Sequence, residues 1–292
     1  MRNRYQGTKI NPTRYDRSQI KFFAVLIPLA VVMGLPIVYI FVTAFKPTNE
    51  LFAYPPRFFV RHPTLDNFAQ IQMVMEESGI PMTRYLFNSL ASALIVVVCT
   101  ILMSISAGYV LAKKRFRIKK LLLELNTIAL MFVPAAVKIP RYLIMERMHL
   151  LDSFWSNVVP LLAMPVGLFL IKQFIDQIPD ALIEAARMDG AGDFIIVRRI
   201  ITPIIQPAIV TVAILAFQNS WNSAVESTLY IDHDQLKTFA FYITSLTSGA
   251  TTNVAAQGMA AAASLVLFVP NLIIFIVMQS KVMNTLAHSG IK

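Results

Sequence analysis

Apolar side chains along this 292-residue chain gather into six long runs, separated by shorter polar segments. A helix needs about 20 mostly apolar residues to cross a bilayer, and the runs come close to that length. An even number of crossings would leave both chain termini on the same side of the membrane. The pattern therefore predicts six transmembrane helices, over residues 22–45, 87–112, 121–139, 154–171, 203–219 and 258–279.

The composition supports a membrane protein and argues against a soluble domain. Hydrophobic residues make up 56% of the chain and charged residues 14%, whereas soluble domains carry about 25% charged residues. A single cysteine excludes a disulfide framework, and four scattered histidines argue against a structural zinc site. The fold class predicted from these features is an all-α polytopic membrane protein.

The net charge of +10 follows the topology of a membrane protein and does not indicate a nucleic-acid partner. Eighteen lysines and arginines fall on one side of the predicted membrane and eight on the other. Segment 1–21 and the loop 113–120 each contribute six to the richer side. Because cytoplasmic loops are enriched in lysine and arginine, both termini are expected to be cytoplasmic.

The predicted cytoplasmic segment 176–203, named here the coupling loop, has a helical pattern of its own. Pro179 and Asp180 are typical of a helix start, and strong helix formers follow as far as Met188. Gly190 predicts a left-handed stop, and Asp193 is expected to cap a second helix. An alternative is an amphipathic helix lying on lipid headgroups, but the segment lacks a basic face. Docking to a partner protein is the preferred interpretation.

The spacing of Glu184-Ala185-Ala186, Asp189-Gly190 and Pro203 resembles the EAA loop of ATP-binding-cassette (ABC) importer permeases. Thr202 departs from that pattern, in which leucine usually stands before the proline. The segment 217–222 (Phe-Gln-Asn-Ser-Trp-Asn) and the C-terminal Ser-Gly-Ile-Lys are similar to the carbohydrate branch, of the maltose-permease G type. Ser227 is a second departure, because that branch often has proline there.

The resemblance implies a type I ABC importer permease fold with six transmembrane helices and a cytoplasmic EAA coupling helix. It implies a non-catalytic subunit of a sugar importer, with an oligosaccharide as the expected substrate. The partners it implies are a second related permease, two cytoplasmic ATPase subunits and an extracytoplasmic sugar-binding protein. ATP and Mg would be bound by the ATPase subunits, since this chain lacks a G-x-x-x-x-G-K-[ST] motif. The alternative function is a secondary transporter or channel that works without ATP.

The expected organisation is a cytoplasmic segment 1–21, a transmembrane domain 22–280 and a cytoplasmic tail 281–292. The tail either reaches the ATPase subunits or is a frayed terminus. The residues that the resemblance assigns to ATPase docking are Glu184, Ala185, Ala186, Asp189, Gly190 and Pro203.

Four further residues are candidates for the gate or the translocation path: Lys138, Arg141, Trp221 and Asn222. Lys138 and Arg141 follow Pro134 and flank Pro140, and these prolines are expected to break the third helix. The two cations either extend to lipid headgroups or face the path and favour an acidic sugar. Trp221 is expected in an interfacial aromatic belt or, with Asn222, in the gate.

Overall fold

The structure is a computed structural model that describes residues 20–77, 79–250 and 254–289. The predicted N-terminal segment lies outside these ranges except for its last two residues, and so does the Gly-Ile-Lys end of the tail. Across the described ranges the regular secondary structure is helical, with no strand. The α-helices are α1 (Ile20–Ala44), α2 (Thr48–Leu51), α3 (Asp66–Glu77), α4 (Met82–Lys113), α5 (Lys119–Met131), α6 (Lys138–Arg147), α7 (Val159–Leu162), α8 (Pro165–Asp176), α9 (Asp180–Met188), α10 (Asp193–Ile196), α11 (Thr202–Ile204), α12 (Gln206–Asn222), α13 (Val225–Tyr230), α14 (Phe239–Ala250) and α15 (Val254–Ser289).

Shorter turns connect several of these helices. Three are 3-10 turns and one, inside the coupling loop, is a π turn. The 3-10 turns cover Pro134–Val137, Phe154–Asn157 and Asp234–Leu236, and the π turn covers Val197–Ile201.

Three helices in the described part of the chain are each long and apolar enough to cross a membrane. They are α1, α4 and the stretch Ala256–Val277 of α15. Three further candidates are pairs of helices that meet at a break, so the number of crossings is three, or up to six if each pair is one span. The fold is all-helical with candidate membrane spans, and the count of six stays a prediction.

Each of the three broken pairs has a proline where the second part begins. Pro134 begins a 3-10 turn after α5, Pro165 begins α8, and Pro207 lies in the first turn of α12. A proline has no N–H to donate and disfavours helical geometry in the residue before it. The chain bends by 44° between the segments 154–162 and 165–176, and by 83° between 193–204 and 206–222.

The prediction of a proline break after α5 is confirmed for Pro134 and is wrong for Pro140. Pro140 is the third residue of α6, where the first turn tolerates a residue that lacks an N–H. The fourth apolar run, predicted as one helix over 154–171, is divided at Ala163 and Met164, whereas the fifth forms the continuous helix α12 after a bend at Ile205. The break at Ala163 and Met164 lines a cavity of about 220 Å³, in which irregular backbone is tolerated.

The chain divides into two compact units, and residues 70–249 with 266–292 form the larger one. At its centre α4, α8 and α12 pack against one another. Gly108 lets α4 approach α8 closely, because a β-carbon there would lie 2.9 Å from Cγ2 of Ile171. The resulting apolar cluster includes the buried side chains of Ile105, Ile171, Ile175, Ile205 and Val212.

The first turns of α4 hold the segment 235–239 by side-chain hydrogen bonds to the backbone. Asn88 Nδ2 donates to the carbonyl oxygens of Gln235 and Lys237, at 2.8 and 3.0 Å. The hydroxyl of Ser89 accepts the N–H of Phe239 at 2.8 Å. Both residues are almost fully buried, so one end of α4 fixes a loop that the sequence shows only as polar.

Residues 1–69 with 250–265 form the smaller unit, described here from residue 20 onward. Asn67 Nδ2 donates to the carbonyl oxygens of Ala44 and Lys46, both at 2.8 Å. The carboxylate of Glu50 accepts the N–H groups of Arg61 and His62, at 3.0 and 2.8 Å. These bonds order the turns after α1.

We expect the close contact at Gly108 to be essential for stability. The Gly108→Val variant should lose about 1–3 kcal/mol, because Ile171 is fully buried and has little room to move. Thermal unfolding of the detergent-solubilised protein measures this loss. Gly34→Val is the matched control, since a β-carbon at Gly34 meets nothing within 4 Å. Equal unfolding temperatures for the two variants would contradict the prediction.

Candidate functional site: the coupling loop and a charged cavity

The helix α9 of the coupling loop has one buried anchor and an exposed opposite face. Ile183 is 4% exposed and joins the apolar cluster of α4 and α8. Ala186 is half-buried against the same cluster, while Glu184 and Ala185 are exposed. The predicted helix is confirmed over Asp180–Met188, and its acidic and small side chains are accessible to a partner.

Gly190 ends α9 in the left-handed conformation, as predicted. Its φ is +81°, a value that residues with a β-carbon rarely adopt. The N–H of Gly190 donates to Arg187 O at 3.0 Å, and the N–H of Ala191 donates to Ala186 O at 2.9 Å. These two bonds form a Schellman motif. A β-carbon at Gly190 would meet nothing within 4 Å, so its backbone conformation, not space, requires glycine.

Asp193 links the coupling loop to α4 and does not cap a helix. The prediction of a cap is wrong, because Gly192 holds the capping position and Asp193 is the first residue of α10. Its carboxylate accepts the hydroxyl of Tyr109 at 2.7 Å and pairs with Lys114 at 2.6 Å. Arg187, on α9, approaches the same carboxylate at 3.3 Å. One acidic side chain therefore joins α4, α9 and α10.

Lys113 makes a second connection between α4 and the start of α9. Its Nζ lies 2.7 Å from the Asp180 carboxylate and 2.6 Å from Ile178 O. The hydrogen bond and the positive charge from Lys113 hold the pKa of the Asp180 carboxyl below its usual value. These contacts and those of Asp193 together form what we call the α4 clamp, which consists of Tyr109, Lys113, Lys114, Asp180 and Asp193.

The interpretation of residues 113–120 as a topology anchor overlooked the α4 clamp. The coupling loop holds five acids and one base between residues 176 and 193, and six bases lie within residues 113–120. This complementary charge is the sequence feature that could have indicated the pairing. The periodicity of apolar residues carries no such information, because it does not say which polar segments meet.

The π turn after α10 accounts for Thr202, the first departure from the EAA pattern. Its hydroxyl donates to Val197 O at 2.8 Å, across the turn. Pro203 follows in the first turn of α11, where its missing N–H costs least. A leucine at position 202 could not make this bond. Pro203 lies at the end of the coupling loop, fifteen residues after the last residue of α9.

Lys138 and Arg141, on α6, line a cavity of about 300 Å³ together with residues of α12 and α13. Its polar lining includes Asn219, Ser223 and Glu226. Lys138 is exposed and Arg141 is half-buried, beside the Tyr230 hydroxyl. In the described residues neither cation lies within 4.0 Å of a carboxylate. The structure thus brings the two predicted cations together in what we call the charged cavity.

Glu226 is a functional candidate that the sequence pattern did not reveal. It is 4% exposed in the first turn of α13, and its carboxylate accepts the hydroxyl of Ser223. A buried carboxylate is expensive unless charge or hydrogen bonds compensate for it. The hydrogen bond from Ser223 supplies part of that compensation, and Lys138 and Arg141 line the same cavity.

Trp221 and Asn222 connect the end of α12 to α15 in the larger unit. The indole Nε1 of Trp221 donates to Leu267 O at 2.9 Å, and its ring stacks on Phe217 at 5.6 Å. Asn271 Nδ2 donates to the Asn222 side-chain oxygen at 2.8 Å. The Trp221 side chain is 3% exposed within this chain alone, so it does not face lipid as a residue of an aromatic belt would, and its depth in the membrane stays a prediction. A gate role for the pair stays a prediction.

Ser227, the second departure, is fully buried in a hydrogen-bond network. Its hydroxyl donates to Asn157 Oδ1 at 2.9 Å and accepts the N–H of Thr238 at 3.0 Å. Asn157 Nδ2 donates in turn to Leu236 O at 2.9 Å. A proline at position 227 would lack this hydroxyl. The network holds α13, and with it Glu226 and Tyr230, in a defined position.

Residues 104–280 match the family described as binding-protein-dependent transport system inner membrane component. The chain belongs to this family. The matched range contains α8, the whole coupling loop and both sides of the charged cavity, and it covers well over half of the chain.

Curated relatives place this permease among the carbohydrate ABC importers. The sulfoquinovosyl glycerol transport system permease protein SmoH of Agrobacterium fabrum is 30% identical, over 95% of each chain. The arabinooligosaccharides permease AraQ of Bacillus subtilis is 29% identical over 72% of this chain and 73% of its own. The trehalose permease SugB of Mycobacterium tuberculosis is 27% identical over 93% and 97%. The family resemblance stated from the EAA motif is therefore confirmed.

Solved structures support the permease fold. A chain of a bacterial ABC transporter involved in import of the acidic polysaccharide alginate superposes with a TM-score of 0.76. It is 20% identical, and the match covers 92% of this permease and 99% of that chain. The same kind of transporter in complex with its alginate pentasaccharide-bound periplasmic protein gives a TM-score of 0.51 at 14% identity, over 89% and 93%. At these identities the likeness concerns the fold alone.

We expect the α4 clamp to hold the coupling loop in place. Asp193→Asn should remove the charge that pairs with Lys114 and Arg187, and so loosen α9 from α4. Amide hydrogen exchange over residues 180–192 should become faster by about tenfold, corresponding to ~1.4 kcal/mol of lost protection. Asp189→Asn is the control, because the exposed Asp189 side chain is outside the clamp. Unchanged exchange in Asp193→Asn would contradict this assignment.

Proposed function

We propose that this permease is the transmembrane subunit of an ATP-driven, binding-protein-dependent importer of oligosaccharides. In this proposal six spans cross a bacterial cytoplasmic membrane, with both termini in the cytoplasm. A second permease completes the translocation path, and an extracytoplasmic protein delivers the sugar. The family and the substrates for which its relatives are named, which are sugars and oligosaccharides, support the substrate class.

The coupling loop is the element through which two ATPase subunits would act. Glu184, Ala185 and Ala186 stand on a helix whose other face is fixed by Ile183. The small alanines allow close approach by an ATPase surface, and Glu184 and Asp189 would meet its basic groups. ATP and Mg would be bound by those subunits and not by this chain. Closure of the ATPase pair would then move α9 and drive alternating access.

The observation that carries this proposal is the rigid connection between α9 and α4. A docking helix transmits force only if it moves together with the spans. The α4 clamp supplies that connection through Tyr109 and Lys113 on α4 and through Lys114, the residue after its end. The alternative, a transporter without ATP, is consistent with broken helices, which this chain has. It gives no role to an exposed acidic helix held against the end of a span.

The direct test is affinity purification of the tagged permease from its native membrane. The proposal expects an ATP-binding-cassette ATPase and a second permease to be recovered in stable amounts. Reconstitution of the purified complex with its sugar-binding protein should then give sugar uptake that depends on ATP. Uptake without an ATPase subunit would favour the secondary transporter and overturn the proposal.

Gly190→Val should lower the ATP hydrolysis that accompanies transport, while the protein still inserts into the membrane. Valine disfavours a φ of +81°, so α9 would end with a different direction. Stimulated hydrolysis in the reconstituted complex should fall by about tenfold or more, which corresponds to only ~1.4 kcal/mol. Gly192→Ser is the control, because Gly192 has a φ of −72° and open space around it. If stimulated ATP hydrolysis is normal in the Gly190→Val complex, the assignment of α9 as the docking helix is wrong.

Charge at Glu184 should matter in a graded way if α9 docks against basic groups. Glu184→Gln removes the attraction, and Glu184→Lys replaces it with repulsion. Stimulated ATP hydrolysis should therefore decrease in the order wild type, Gln, Lys, while circular dichroism of the complexes stays the same. If the two variants lose equal activity, or none, the ATPase surface facing Glu184 is not basic.

A further inference from the structure

We propose that the charged cavity binds the anionic group of an acidic sugar unit during its translocation. This inference rests on the proposed function, because it takes the cavity to lie on the translocation path. It deepens that function by naming the charge of the substrate. The groups that carry it are Lys138, Arg141 and Glu226, with Tyr230 beside them.

The size of the charged cavity suits one sugar unit. Its volume of about 300 Å³ lies at the lower end of the range for small-molecule pockets, ~300–1,000 Å³. Asn219 and Ser223 supply an amide and a hydroxyl at its wall, and such groups can exchange hydrogen bonds with sugar hydroxyls. A polymer would therefore pass this point unit by unit.

The charge of the cavity favours an anion. Lys138 and Arg141 both line it, and no carboxylate of the described residues lies within 4.0 Å of either one. Cationic side chains in a membrane protein are costly at bilayer depth and usually have a partner or a function. The planar guanidinium of Arg141 and the ammonium of Lys138 both match a carboxylate or sulfonate group.

Glu226 limits how strongly that anion is held. With both cations charged and Glu226 ionised, the three groups sum to a single positive charge. A carrier needs a site that attracts its substrate and also releases it, and excessive positive charge would trap the anion. Glu226 is 4% exposed and bonded to Ser223, so its carboxylate is held in place at the cavity wall. Its role is to set the net charge of the site.

The same cations could instead contact the phosphate of a lipid headgroup. Both ligands present an anionic oxygen group, so the geometry of the two side chains suits either one. The lipid source predicts that binding of a sugar anion is absent, or that it changes when anionic lipids replace neutral ones. The sugar source predicts binding that depends on the sugar carboxylate in a bilayer of phosphatidylcholine alone.

The test is an equilibrium titration of the whole transporter in phosphatidylcholine nanodiscs, without the binding protein. The probes are a uronate trisaccharide and its carboxyl-reduced, neutral counterpart, and saturation-transfer NMR reports binding. Lys138→Ala and Arg141→Ala should each weaken uronate binding by about tenfold or more, as expected for a charged hydrogen bond. Lys138→Arg should retain binding. Glu226→Gln should tighten uronate binding, and Lys138→Ala and Arg141→Ala should weaken binding of the uronate more than binding of the neutral sugar.

The matched control is Lys237→Ala. Lys237 is also a cation of the larger unit, but it pairs with Asp234 at 2.6 Å and does not line the charged cavity. Wild-type preference for the neutral trisaccharide, absence of uronate binding, or equal loss for both sugars would overturn the inference. Each of these results is compatible with ATP-dependent uptake of another sugar. Loss of all ATP-dependent uptake by the wild-type complex overturns the proposed function, and this inference with it.

Discussion

The close packing of α4 against α8 is the contact on which the described structure of the larger unit depends. Gly108 brings the two backbones together, and the apolar cluster that results includes the anchor of α9. The two ends of α4 carry different polar contacts. Its first turns hold the segment 235–239 through Asn88 and Ser89, and its last turn holds the coupling loop through Lys113 and Lys114. One unbroken helix therefore organises both loops.

Around this unbroken helix the neighbouring helices are interrupted. Prolines at positions 134, 165 and 207 each begin the second half of a bent pair. Breaks free backbone groups and create cavities, which a protein in a membrane must line with other polar groups or with water. The charged cavity lies where α6 begins and α12 ends. The unbroken α4 thus packs among helices that prolines divide.

The sequence predicted well what depends on local chemistry. The extent of α9, the left-handed Gly190 and the break at Pro134 follow from residue type at one position and its neighbours. It predicted poorly what depends on which segments meet. Lys113 and Asp193 were assigned local roles, yet Lys113 pairs with Asp180 and Asp193 pairs with Lys114, each more than sixty residues away. The burial of Trp221 and Glu226 depends on the packing of α12, α13 and α15, which their place in the chain does not reveal.

Because α4 is long, a small change in its tilt would displace one of its ends by several ångströms. Thirty-two residues span about 48 Å at 1.5 Å per residue. If the helix pivots near one end by only about 5°, its other end travels about 4 Å, the width of a side chain. A ligand that favours one tilt and binds at one end would then change the affinity for a second ligand at the other end. The second ligand must change the affinity for the first by the same factor, since coupling free energies are reciprocal. The two loops at the ends of α4 would then be coupled by the tilt of one helix, without a series of small side-chain rearrangements between them.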